Sequence, residues 1–208
     1  MSEKIILFGG TFDPIHKGHI EVAEAAAEKI GSTKIILIPA RRSPHKKQKP
    51  AASDTDRIAM LKLAIANKNI FHISAIELNR AEPSYTIDTV RHLRQQFGQD
   101  CTFYWLLGAD MLKDLPKWHK IDELLNECNI SVMNRSGFDK PDFESLVNEL
   151  SAENVKKLRE NAIETPLIEI SSTEIRQKLA QDEDTSRYLH HDVQNYIKRH
   201  KLYTPDND

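Results

Sequence analysis

The chain has 208 residues, 29% charged and 39% hydrophobic, the balance of a folded globular protein rather than a disordered or membrane-embedded one. Its 29 Lys and Arg stand against 31 Asp and Glu, so there is no global field to attract nucleic acid, and an anionic ligand must be met by a local cluster. Cys101 and Cys128 form no Cys-x-x-Cys pair and the N-terminal apolar run is too short for a signal peptide or spanning helix, which together lead us to expect a reduced, cytoplasmic chain with no membrane partner.

In chain order, Lys4 to Phe8 reads as a strand. A glycine turn follows, and then Ile20, Ala23, Ala27 and Ile30 recur at helical spacing up to Gly31. Lys34 to Ile38, stopped by Pro39, is β-branched and apolar throughout, as expected of a strand buried on both faces. Ala40 to Pro50 is strongly basic without apolar period, hence a loop. Ser53 with Asp56 opens a helix carrying Ile58, Leu61, Ala64 and Ile65 to about Asn67. Ile70 to Leu78 is a third strand region, and Pro83 to Thr86 opens a helix with Ile87, Val90 and Leu93 as its stripe, closed by Gly98.

Thr102 to Leu107 is a strong strand ending in Gly108-Ala109-Asp110. Two short helical pieces, Met111 to Leu115 and Ile121 to Leu125, are expected on either side of Pro116, then a fifth strand from Ile130 to Met133. Phe138 to Asn161 is charged and partly helical and reads as a peripheral insertion. Leu167 to Ile170 is a sixth strand leading through Ser171-Ser172-Thr173 into a helix with Ile175 and Leu179. A tail helix is expected from Ser186 to Tyr203, packing through Leu189, Val193, Tyr196 and Ile197.

Strands alternating with helices predict a Rossmann-like, doubly wound α/β fold. Its mainly parallel sheet carries helices on both faces, with a small helical C-terminal part from about 171 to 208, in one domain spanning 1–208. Such sheets bind ligands beyond their strand carboxyl ends. The chemically suggestive residues fall there repeatedly: Gly9, His45, Asp110, Arg135 and Ser171. The turn after the first strand, Gly9-Gly10-Thr11-Phe12-Asp13-Pro14-Ile15-His16-Lys17-Gly18-His19, leads into a helix start, which offers unpaired N–H groups and a positive dipole end to phosphate. His16 and His19, three apart, share a helix face. There is no Gly-x-Gly-x-x-Gly opening, no P-loop and no Gly-x-Ser-x-Gly elbow. Two histidines with cations such as Lys46 and Arg176 suit transfer between two bound phosphates, in which the protein orients groups and stabilises developing charge.

The Gly9 to His19 turn together with Ile170-Ser171-Ser172-Thr173-Glu174-Ile175-Arg176 resembles the His-x-Gly-His nucleotidyltransferase superfamily. Ser43-Pro44-His45-Lys46, Pro83-Ser84-Tyr85-Thr86-Ile87-Asp88-Thr89 and Gly108-Ala109-Asp110-Met111 to Leu115-Pro116-Lys117-Trp118 resemble its bacterial nicotinate-nucleotide adenylyltransferase branch. The resemblance implies adenylyl transfer from ATP to nicotinate mononucleotide, giving deamido-NAD and pyrophosphate by direct attack of the mononucleotide phosphate on the α-phosphorus. It assigns His16, His19 and Arg176 to catalysis. Gly9, Gly10, Thr11, Phe12, Gly108, Asp110, Ile170, Ser171, Ser172 and Thr173 go to ATP. His45, Lys46, Ser84, Tyr85, Thr86, Trp118 and Arg135 go to the mononucleotide, with Trp118 stacking on the pyridine ring and backbone near Tyr85 and Thr86 reading its carboxylate. Mg²⁺ is implied on the substrate phosphates, with no metal site in the protein itself, and a monomer or homodimer is equally compatible.

Plain alternatives stand beside these assignments. Ser171 to Thr173 is by spacing an ordinary helix cap, Trp118 a packing anchor, and Arg135 a partner in a surface ion pair. A sister enzyme acting on nicotinamide mononucleotide or phosphopantetheine, and a non-catalytic nucleotide sensor, are the rival functions.

Overall fold

The computed structural model describes residues 2–41, 49–135, 141–166 and 170–204, without the side chain of Arg135. Six parallel strands form one sheet in the order β3-β2-β1-β4-β5-β6. They are β1 (Lys4–Gly10), β2 (Lys34–Pro39), β3 (Phe71–Ile73), β4 (Thr102–Gly108), β5 (Asn129–Arg135) and β6 (Ile163–Thr165). The connecting helices are α1 (Lys17–Ile30), α2 (Asp54–Ala64), α3 (Thr86–Phe97), α4 (Ile121–Glu127) and α5 (Ala152–Glu160); α6 (Ser172–Ala180) and α7 (His191–Arg199) follow the last strand. None of the described helices is long and apolar enough to cross a membrane.

Alternation along the central strands explains the layering. Ile5 and Leu7 face one core with α3, α4 and α5, while Ile6 and Phe8 face another with α1, α2, α6 and α7. Both faces are covered, so the central strands read as continuous apolar runs. The strand order reverses direction at the β1/β4 boundary, where an open parallel sheet forms its ligand crevice. Paired register between β1 and β4 ends at Leu7 and Trp105, although the strands run on to Gly10 and Gly108. Their carboxyl ends are therefore unpaired with each other, and a cleft of about 820 Å³ opens there.

The doubly wound fold is as expected, with local differences. Ser53 caps α2, accepting from the Asp56 N–H, and Gly31 closes α1 in the left-handed conformation (φ 71°). The third strand is only Phe71–Ile73, because the chain beyond it turns rather than pairing. The two helical pieces expected near Pro116 are both present, the second as α4; the first is a 3-10 helix, Ala109–Lys117, with Pro116 inside it rather than after it. Its buried residues, Leu112 and Leu115, lie three apart, which matches the three-residue turn of that helix.

Of the stretch expected as a peripheral insertion, residues 138–140 lie outside the described residues and the part from 141 onward contributes to the core. Leu146, Leu150, Val155 and Leu158 are all buried in the layer that covers β4 and β5. These apolar positions belong to two elements separated at Ser151, which caps α5, so no single period marks them. The sixth strand is Ile163–Thr165, ahead of the expected stretch, of which residues 167–169 lie outside the described residues. The tail helix is shorter than expected, His191–Arg199, and the chain then turns so that Tyr203 comes back against the sheet's carboxyl edge. Leu189, Val193 and Ile197 form its buried face.

Candidate active site

The cleft wall begins at the end of β1. Gly9 lies directly over Trp105 of β4, and a Cβ there would stand 2.5 Å from the indole ring, so only glycine lets the strand end sit this close. The turn then passes through Thr11 and Phe12, the latter buried with φ 49°. Its ring packs edge-on against Phe8 and His19, which accounts for a non-glycine residue held in the left-handed region. From α2 the wholly buried Arg57 donates to the carbonyl oxygens of Thr11 (2.6 Å) and Ala40 (2.8 Å), tying the ends of β1 and β2 together.

Asp13 is the most heavily used group of the turn. Its carboxylate is buried and accepts from the N–H groups of Ala51 (2.8 Å) and Ala52 (3.0 Å) and from the Tyr203 hydroxyl (2.8 Å). Its carbonyl oxygen accepts from the Arg176 guanidinium at 2.7 Å. The next residues enter α1, with His16 at the N-cap position.

His16 and His19 stack with ring centroids 3.6 Å apart. The His16 backbone N–H donates to His19 Nδ1 at 3.2 Å, so the proton of a neutral His19 ring belongs on Nε2. His19 lines the cleft, whereas His16 is 5% exposed and stands behind it. Burial lowers the His16 pKa to about 4, and its Nδ1 has no partner among the described residues. Burial thus favours the neutral form of the His16 ring, which lies against His19 behind the cleft wall.

Opposite this turn lies the start of α6. Ser172, Thr173 and Arg176 line the cleft. The Ser172 hydroxyl donates to the Pro14 carbonyl at 3.0 Å, locking the two helix starts together. Ser171 is a different case. Its hydroxyl and N–H are engaged in a capping box with Glu174, whose carboxyl is held below the ordinary carboxylate range by the Ser171 hydrogen bonds. Ser171 thus caps α6, and Ile170 packs against the apolar core rather than forming the cleft wall.

The other end of the cleft is built by the carboxyl end of β4, the 3-10 helix and the start of α3. The Asp110 carboxylate folds over Gly108, where a Cβ would lie 2.5 Å from Oδ1. Ser84, Tyr85, Thr86 and Trp118 all line the cleft. Tyr85 is the N-cap of α3 and makes no side-chain cap, which leaves the first N–H groups of that helix for a ligand. The Tyr85 ring stacks on His119 at 4.1 Å, joining this turn to the segment bearing Trp118. Beneath them Arg80 reaches Ser84, the Tyr85 carbonyl and Thr89 at 3.3–3.4 Å, and Thr89 donates to Glu77 at 2.9 Å. Burial raises the Glu77 pKa against the opposing pull of Thr89 and Arg80.

A sheet of this order, with two helix starts converging on a β1/β4 cleft, matches known proteins along nearly its whole length. Residues 7–178 fit the cytidylyltransferase-like family model. A relative from Bacillus pumilus, described as a probable nicotinate-nucleotide adenylyltransferase, is 37% identical over 97% of this chain and 98% of its own. One of the same description from Moorella thermoacetica is 36% identical over 97% of this chain and 92% of its own. The chain belongs to the nicotinate-nucleotide adenylyltransferase family. The fold agrees: the Plasmodium falciparum nicotinic acid mononucleotide adenylyltransferase complexed with NaAD superposes with a TM-score of 0.72 at 21% identity, covering 99% of this chain and 98% of that one.

Within this family member, the structure brings Gly9, Gly10, Thr11, Phe12, His19, Ser84, Tyr85, Thr86, Gly108, Asp110, Trp118, Ser172, Thr173 and Arg176 around one cleft. His45, Lys46 and the side chain of Arg135 lie outside the described residues. Asp13, Arg57, Glu77 and His119 were not singled out from the sequence. Asp13 and His119 adjoin motif residues, the one signal that pointed their way; Arg57 and Glu77 had none, because an isolated charge in a helix or loop reads as surface.

Proposed function

We propose that the protein transfers the adenylyl group of ATP to nicotinate mononucleotide, forming deamido-NAD and pyrophosphate in NAD biosynthesis. A phosphate oxygen of the mononucleotide bonds to the α-phosphorus, the bond from that phosphorus to the α,β-bridging oxygen breaks, and pyrophosphate leaves with the electron pair. The observation that carries this reading is the arrangement of the cleft. One end presents His19, two helix starts and Arg176; the other presents Trp118 and the open N-terminus of α3.

His19 Nε2–H is placed to donate to an α-phosphoryl oxygen, and it costs little reorganisation because its other nitrogen is already fixed. His16 supports it from behind. The first N–H groups of α6, with Thr173 and Arg176, take the β- and γ-phosphates. Asp110 and Gly108 meet a nucleoside sugar, Trp118 stacks on the pyridine ring, and the Tyr85–Thr86 backbone reads the carboxylate. His45, Lys46 and Arg135 keep their assignment to the mononucleotide on sequence alone. The same reading takes residues 1–208 as one domain.

Among the described residues no group of three His, Cys, Asp or Glu could hold a metal ion, and the Asp13 carboxylate is occupied by three protein donors. This donor set suits Mg²⁺ entering as the ATP complex, held by phosphate oxygens and water. When bound, the ion neutralises charge on the phosphate tail.

Pyrophosphate release with Mg²⁺ and ATP, measured against both nicotinate and nicotinamide mononucleotides, tests the reading. The expected result is turnover with at least a roughly tenfold preference for the carboxylate, the scale of one charge-assisted contact. Preference for the amide overturns the substrate assignment, and ATP binding without pyrophosphate release overturns transfer itself.

A further inference from the structure

The turn beyond α7 has no part in the reaction as described above, yet it packs against Asp13 in the turn that walls the phosphate-binding end of the cleft. Tyr203 is 9% exposed and reaches across 190 residues of sequence to give its hydroxyl hydrogen to Asp13 Oδ1. Oδ1 also accepts from Ala52 N–H, and Oδ2 accepts from Ala51 N–H. Arg176 stands beside the same carboxylate, its guanidinium bound to the Asp13 carbonyl and forming a long ion pair with Oδ2 at 3.7 Å. Arg176 is also part of the cleft wall, with its side chain 30% exposed.

Two anions thus compete for one guanidinium: the Asp13 carboxylate and the phosphates of a nucleotide in the cleft. A carboxylate with unfilled acceptor directions, buried and this close, forms a bidentate pair with arginine in preference to remaining unsatisfied. Neutral donors filling those directions remove the incentive. The two backbone donors are fixed by the chain's course into α2, so the Tyr203 hydroxyl is the side-chain member of the set.

We propose that Tyr203 is a positioning residue for the transfer reaction: its hydroxyl, bound to Asp13 Oδ1, holds the carboxylate so that its ion pair with Arg176 stays long, at 3.7 Å through Oδ2, and leaves most of the guanidinium charge for the nucleotide phosphates. The phenol can be relied on as a donor. Burial, and then the negative charge and hydrogen bond of Asp13, push its ionisation far above the ordinary tyrosine range, with Arg176 and Arg57 pulling weakly the other way. The tail-end turn therefore belongs to the active site, although it touches no substrate. The inference rests on the reading of this end of the cleft as the ATP phosphate site.

Tyr203→Phe keeps the ring and its packing and deletes the donor. Calorimetric titration with Mg²⁺ and ATP gives Kd, steady-state rates give KM for each substrate and kcat, and a thermal melt reports folding. The expected result is a rise of about five- to tenfold in Kd and KM for ATP, the scale of one charge-assisted hydrogen bond, with KM for the mononucleotide within about twofold. In an Arg176→Ala background the same substitution should change ATP affinity by less than about twofold, since its target is gone. An unchanged ATP Kd in Tyr203→Phe, an effect undiminished in the Arg176→Ala background, or a variant that does not fold each overturns the proposal, the last because the hydroxyl then serves the fold rather than Arg176. Failure of the underlying reading looks different: the unaltered protein would then bind no ATP or release no pyrophosphate.

Discussion

The two ends of the cleft are built on different principles. At the phosphate end, the turn after β1 is held by short bonds from distant parts of the chain: Arg57 to Thr11 and Ala40, Ser172 to Pro14, and the donors around Asp13. At the Trp118 end, Tyr85 is held by ring stacking with an exposed His119 and by Arg80 contacts of 3.3–3.4 Å to its turn, while Trp118 packs against the apolar core. The difference teaches where rigidity matters. Charge developing at a phosphorus needs donors that are already aimed, since reorienting them would cost part of what they stabilise. A flat aromatic ring tolerates sliding, so stacking surfaces on looser turns serve for recognition.

This contrast can be broken from its rigid side first. His19→Ala is expected to lower kcat by about 10²–10³ while the thermal melt moves little, because the ring is a preorganised donor on the cleft wall. Near-normal turnover in that variant would mean that His19 is merely part of the packing. Asp13→Ala should destabilise the fold by about 3 kcal/mol in urea unfolding, since two backbone N–H groups and a buried hydroxyl lose their acceptor together.

The neutral His16 makes a pH prediction of similar size. Its folded pKa of about 4 lies below the unfolded value of 6.5, so between those limits the unfolded chain takes up a proton that the folded one refuses. Stability should be level above pH 6.5 and fall as pH drops toward 4, by about 3 kcal/mol in all. In His16→Gln that slope should flatten, and urea unfolding at a series of pH values checks it.

On the looser side the effects should be smaller and selective. Trp118→Ala is expected to raise KM for the mononucleotide about tenfold, with KM for ATP unchanged, on the scale of a lost base-like stack. His119→Ala, which removes only the support behind Tyr85, should raise the same KM about threefold. Equal effects on both substrates would erase the division between the two ends.

Much of this arrangement was legible in the sequence, and for identifiable reasons. The central strands are apolar throughout, α1 and α3 carry clear stripes, and Gly31 and Ser53 mark helix limits by local chemistry. The turn from Gly9 to His19 and the one from Ser172 to Arg176 are contiguous patterns, so their meeting at one cleft followed from the alternation of strands and helices. The stretch from 138 to 161 misled because its core residues are divided between two elements and surrounded by charge. Ser171 shows a different limit, since a capping serine and a phosphate-binding serine have the same local signature, and its capping box is what the structure adds.

What the sequence by itself determined is the set of parts: a doubly wound sheet, the Gly9 to His19 turn with its histidine pair, and the loops proposed to choose the substrate. These depend on periodicity and on residues adjacent in the chain. Tertiary structure alone decided which histidine faces the cleft, and that Asp13, Arg176 and Tyr203 form one network. Those outcomes depend on burial and on bonds spanning up to 190 residues, distances over which neighbouring residue types carry no information about one another.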